Sequence, residues 1–105
     1  AGYLAGQGYA FLARNYGTRY GEVDLVAGQG DTTVFVEVRT RRSTAYGTPQ
    51  ESLTARKLQH LSLAAQQYLQ DQGLDGTTWR VDLVAITARG SAPHLEHLKG
   101  IGGGA

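Results

Sequence analysis

Cysteine is absent from the 105 residues, which excludes disulfides and thiolate metal sites outright. Methionine is absent too, and the chain opens on Ala1, so a processed chain or a fragment is expected. No apolar run approaches the roughly 18 residues a membrane span needs, and no basic-then-apolar signal segment opens the chain. A cytoplasmic location with no membrane partner is the expectation. Charge of one sign is also lacking: ten Lys and Arg stand against nine Asp and Glu, so composition alone carries no nucleic-acid signal.

What is present is ordinary for one folded domain, with 41% hydrophobic and 18% charged residues. The expected organisation is a domain over 1–99 and a flexible glycine-rich tail over 100–105. Charge is distributed unevenly. Arg39, Arg41, Arg42, Arg56 and Lys57 face a single acid, Glu51, while Glu22, Asp24, Asp31 and Glu37 precede them. A basic patch beside carboxylates suits a polyanion held over a metal; a solvated charged face is the plain alternative.

Residues Ala1 to Gln7 read as the end of a helix stopped by Gly8. Tyr9 to Asn15 reads as a strand with Tyr9, Phe11 and Ala13 on one face, followed by a turn at Asn15-Tyr16-Gly17. Tyr20 to Ala27 and Thr32 to Arg41 read as strands joined by a hairpin at Gly28 to Asp31. Thr48-Pro49-Gln50-Glu51 is a capping box, which predicts a long helix running to about Gln72 and closed by Gly73. Leu53, Leu61, Ala64, Ala65 and Tyr68 share its apolar arc. Trp79 to Thr87 reads as a central strand, and His94 to Leu98 as a short edge strand. The fold class is α/β of the α+β type: a mixed sheet, order α-β-β-β-α-β, with the long helix on one face.

Strand alternation puts Glu22 and Asp24 on one face of their strand, and Glu37, Arg39 and Arg41 on the face opposite Val34, Val36 and Val38. If the two strands pair, three carboxylates and two guanidinium groups gather on one side of a hairpin. Carboxylates about 4 Å apart repel by about 4 kcal/mol at an effective dielectric near 20. Arginine pairing, protonation or a divalent cation must offset that, and an all-oxygen site favours magnesium or manganese over zinc. The alternative is a ladder of surface salt bridges, such as Glu37 with Arg19. Lys57 and Gln50 fall on the helix's apolar arc, in a direction that would bring them towards that acid cluster; a lysine snorkelling out at the helix's exposed end is the alternative. Asp82 beside Arg80 reads as a paired structural acid, His94 and His97 as residues on opposite faces, and His60 as solvated.

Gly21-Glu22-Val23-Asp24-Leu25-Val26-Ala27, Val34-Phe35-Val36-Glu37-Val38-Arg39-Thr40-Arg41, then Gly47, Pro49, Glu51 and Lys57 closely resemble the bacterial YraN family. The resemblance runs to about Leu98. YraN proteins are grouped with the PD-(D/E)XK, restriction-endonuclease-like nucleases and look most like archaeal Holliday-junction resolvases. The resemblance implies Asp24 and Glu37 as metal ligands, with the Val38 carbonyl a further ligand. It implies Arg39 where the superfamily usually has lysine, Lys57 as the supporting helix residue and Glu22 as an auxiliary acid. Arg41, Arg42, Arg56 and Gln50 are candidate DNA contacts. The implied activity is a magnesium- or manganese-dependent endonuclease on DNA, with branched DNA a candidate substrate and a homodimer suggested by analogy. A non-catalytic nucleic-acid-binding module is the alternative. Arg39 stays charged and cannot be a general base, and no residue among Ala1 to Gln7 replaces the glutamate that resolvases carry on the first helix.

Overall fold

Turn chemistry and alternation organise the first half of the chain. The computed structural model describes residues 2–41, 53–89 and 92–104. Helix α1 (Gly2–Gly6) gives way at Gly8, whose φ of 86° suits a residue without a Cβ. Strands β1 (Ala10–Thr18), β2 (Gly21–Gln29) and β3 (Thr32–Arg41) form an antiparallel meander.

The turn expected at Asn15 to Gly17 lies further on. Asn15 takes a positive φ of 51° within β1, and the chain reverses at Arg19–Tyr20. There the Thr18 hydroxyl accepts from the Tyr20 amide and donates to the Gly21 carbonyl. A register shift between Phe11 and Ala13 breaks the alternation. The shift separates Ala13 from Phe11, and Tyr9 is buried while Phe11 is 44% exposed.

Helix α2 (Ala55–Asp71) supplies the crossover that lets β4 (Trp79–Arg89) pair in parallel with β3. Its start is later than expected. Thr54 is extended, and its hydroxyl accepts from the Lys57 amide as an N-cap, so Leu53 precedes the helix. The Thr48–Glu51 capping box lies outside the described residues. The other end is as expected: Gly73 takes a φ of 68°, and the Leu74 amide reaches back to the Leu69 carbonyl.

One face of α2 buries Leu61, Ala64, Ala65, Tyr68 and Leu69 against Val23, Val26, Phe35 and Val81 of the sheet. Phe35 and Tyr16 both meet the Tyr68 ring edge-on. The opposite face of the sheet carries a second cluster, including Leu4, Tyr9, Val34, Val36 and Val84. β4 is therefore buried on both sides.

Strand β5 (Ala92–Gly104) pairs antiparallel with β4 and completes the five-stranded order β1-β2-β3-β4-β5. It is much longer than the short edge strand expected, and it takes in Gly100 to Gly104, where a free tail was expected. Gly102, Gly103 and Gly104 lie against Val81, Arg80 and Trp79. Their lack of side chains permits this approach, since a Cβ on Gly103 would come 2.6 Å from the Trp79 carbonyl oxygen.

Candidate active site

The β2–β3 ladder stops at Leu25↔Val36. Beyond that point the Asp24 carboxylate takes over from the backbone and accepts the Val38 amide hydrogen at 2.9 Å. Alternation breaks at the same place: Val23 and Val26, three residues apart, both pack under α2. The acid is thus set into the gap between two strands that are splaying apart.

Glu37 follows on β3, on the side facing α2. Its side chain is 19% exposed and pairs with Arg39 at 3.2 Å. This same-strand pair stands in place of the cross-strand partner Arg19. Burial pushes the Glu37 carboxyl up to about 7; the Asp24 charge and a hydrogen bond to Asp24 add to that, while Arg39 and Lys57 oppose it. Two neighbouring carboxylates in a partly closed site cannot both ionise easily. Arg39 keeps one donor in reserve, since its buried Nε has no partner among the described residues.

A cleft between the sheet and the first turns of α2 is walled by Glu22, Glu37, Arg39 and Lys57, together with Tyr20 and His60. Lys57 comes from the first turn of α2. Glu22 is exposed at the mouth. Asp24 does not line the cleft; it backs it through Glu37 and Val38. Arg56 is exposed on the far side of the same helical turn and does not line the cleft. The Arg41 side chain, Arg42 and Gln50 lie outside the described residues. Among the described residues no three His, Asp or Glu side chains come together, so the donor set is a pair of acids with backbone oxygen nearby.

Tyr20 and His60 were not legible as site residues. Tyr20 falls in a turn that was placed elsewhere. His60, three residues after Lys57, shares its side of the helix, but it lies outside the apolar arc and so gave no signal.

A second polar cluster lies on the other face of the sheet. Asp82, fully buried, accepts from Arg80 at 2.9 Å, from the Gly100 amide at 3.0 Å and meets His97 Nε2 at 2.7 Å. The Tyr9 hydroxyl donates to it as well. Burial pushes the Asp82 carboxyl up, but Arg80, Gly100 and His97 outweigh it and hold it below the ordinary range. His94 is exposed while His97 is buried, so the two histidines do not meet. This cluster fastens β5 and the chain before β1 to β4. It is structural, and the paired role of Asp82 and Arg80 extends further than their spacing indicated.

Fold and site together define a small α+β domain with a mixed five-stranded sheet, one packed helix and a paired-acid cleft between them. The chain belongs to the uncharacterised protein family UPF0102, whose family model matches residues 1–86. It is 44% identical over 100 residues to the UPF0102 protein of Rhodococcus jostii, covering 94% of this chain and 85% of that one. It is 50% identical over 86 residues to the UPF0102 protein of Moorella thermoacetica, covering 82% and 72%. Against the UPF0102 protein of Herpetosiphon aurantiacus it is 44% identical over 105 residues, covering 96% and 85%. No helix among the described residues is long and apolar enough to cross a membrane.

Proposed function

We propose that this protein is a metal-dependent endonuclease of the PD-(D/E)XK type that acts on DNA, with branched DNA a candidate substrate. The observation that carries the reading is the Asp24 carboxylate on the Val38 amide, next in sequence to Glu37, where β2 and β3 part, beside a cleft that holds Glu37, Arg39 and Lys57.

The donor chemistry fits a hard divalent cation. Glu37 is held protonated towards neutrality by burial and by Asp24, and a cation among oxygen donors removes that repulsion. Asp24, Glu37 and the Val38 carbonyl are the residues that would hold magnesium or manganese, with Glu22 auxiliary at the mouth. When bound, such an ion polarises a phosphodiester and lowers the pKa of water. The chain's own cations do the rest. Arg39, always charged, clamps a phosphate with a planar fork and cannot take a proton from water. Lys57 places a compact charge on the opposite wall. Both balance the charge that develops on phosphate during displacement.

A second reading, a nucleic-acid-binding module without catalysis, is favoured by the Arg39–Glu37 pair, which already satisfies one of the two acids. The test is incubation of labelled four-way-junction, flap, duplex and single-stranded DNA with and without manganese or magnesium, alongside Glu37→Gln. Metal-dependent cutting that disappears in Glu37→Gln supports the nuclease. DNA binding without cutting by either protein supports the binding module.

A further inference from the structure

We propose that a groove continuing from the cleft along α2 holds an unpaired nucleic-acid strand by its bases; this rests on the nuclease reading for the strand's origin and is measured without it. The cleft does not end at His60. Tyr20 walls both the cleft and a second hollow bounded by Arg19, Gln66, Gln67 and Gln70. Gln70 carries this second hollow towards the C-terminal end of α2. The two form one track on the β2 side of the helix. Lys57 and Gln70 are about 20 Å apart along the helix axis at 1.5 Å per residue, enough for several nucleotides.

The chemistry changes along this track. At the cleft end Arg39 and Lys57 offer charge, which suits phosphate. Past Tyr20 the α2 wall is Leu63 with the neutral amides of Gln66, Gln67 and Gln70, and Asp71 stands at the far end. Carboxylates repel a phosphate backbone, whereas amides carry both donors and acceptors that match base edges. A strand lying here therefore turns its bases towards α2 and its phosphates outward, past Arg19. A duplex cannot do this, because its bases are stacked and paired.

Two local features point the same way. Tyr20 is 37% exposed, and the Arg19 guanidinium sits 5.7 Å from its ring centre, a platform on which a base can stack. The Gln67 Oε1 is buried and has no partner among the described residues, an uncommon state for a buried acceptor. Its terminal torsion is soft, so rotation into the hollow would give the amide a base to pair with.

The experiment is fluorescence anisotropy in EDTA with three labelled probes of equal length: oligothymidylate, an abasic strand carrying the same phosphates, and a duplex. The wild type is expected to prefer oligothymidylate over the abasic strand by about tenfold, the scale of one stacked base. Tyr20→Leu is expected to remove most of that preference, and the Gln66→Ala/Gln70→Ala double variant to do so while changing duplex affinity less than about twofold. Equal affinity for oligothymidylate and the abasic strand overturns the proposal, as does loss of single-strand and duplex binding together in the double variant with its circular dichroism unchanged. Cutting that depends on Glu37, with no base preference, leaves the nuclease reading intact and removes the groove. A base preference without any cutting does the reverse.

Discussion

The Asp24 carboxylate holds the Val38 amide at 2.9 Å, at the point where β2 and β3 no longer pair through their backbones. One acid therefore has two duties: it closes the sheet's frayed corner and sets the charge felt by Glu37. Asp24→Ala strands the Val38 amide, and a loss of about 1–3 kcal/mol is expected in urea unfolding. Asp24→Asn keeps an acceptor there and is expected to cost less.

The two duties separate by spectroscopy. Asp24→Asn removes the negative charge that helps raise Glu37 to about 7, so the Glu37 carboxyl should titrate lower in that variant. Carbon-detected NMR of the side chain reads this directly. An unchanged titration would mean that burial alone raises it.

Stability should depend on pH through the same residue. The ordinary value of 4.5 applies to the unfolded chain, and about 7 to the folded one. Between these values the folded protein keeps a proton that the unfolded chain has released, so stability falls as pH rises through the window. The contribution is complete below 4.5 and lost above about 7, on the order of 2 kcal/mol once solvent screening is allowed for. Glu37→Gln, which mimics the protonated acid, should flatten that slope in denaturation curves taken across the window.

Asp82 offers a contrast on the other face of the sheet. It is fully buried beneath Arg80, His97 and the Gly100 amide, and Asp82→Asn leaves the guanidinium without its counter-charge. A loss of about 3–5 kcal/mol is expected, visible as a large fall in Tm, with the cleft's chemistry untouched in whatever fraction remains folded.

These expectations show which parts of the molecule sequence patterning could reach. The mixed sheet with its helix followed from β-branched alternation in Thr32–Arg41 and the apolar arc from Leu61 to Tyr68, because both patterns are imposed by burial on one face. The pairing of the two strands that carry Asp24 and Glu37 was legible for the same reason. The end of the pairing at Leu25 was not, since it arises from a side chain replacing a backbone partner, and alternation carries no trace of that. The turn at Arg19–Tyr20 was missed because Asn15 hides a positive φ inside a strand. That displaced Tyr20 from the cleft. The helix start was misjudged because Thr48–Glu51 also reads as a capping sequence, while the hydroxyl that closes on the Lys57 amide is that of Thr54.

The glycine-rich end was misread for a different reason. Glycine suggests mobility by composition, whereas here it permits close approach to Trp79. Gly103→Ala should therefore destabilise the protein by more than about 1 kcal/mol, and the amides from Gly100 to Gly104 that pair with β4 should exchange slowly. A neutral substitution with fast exchange would return this segment to a free tail.

The account rests most heavily on Asp24 and Glu37 acting as one cation site, and titration of manganese followed by electron paramagnetic resonance tests it most directly. The account predicts saturable binding by the wild type, abolished in Glu37→Gln and strongly weakened in Asp24→Asn, with magnesium competing for the same site. Manganese binding of equal strength in all three proteins, or none in the wild type with DNA present, would contradict it.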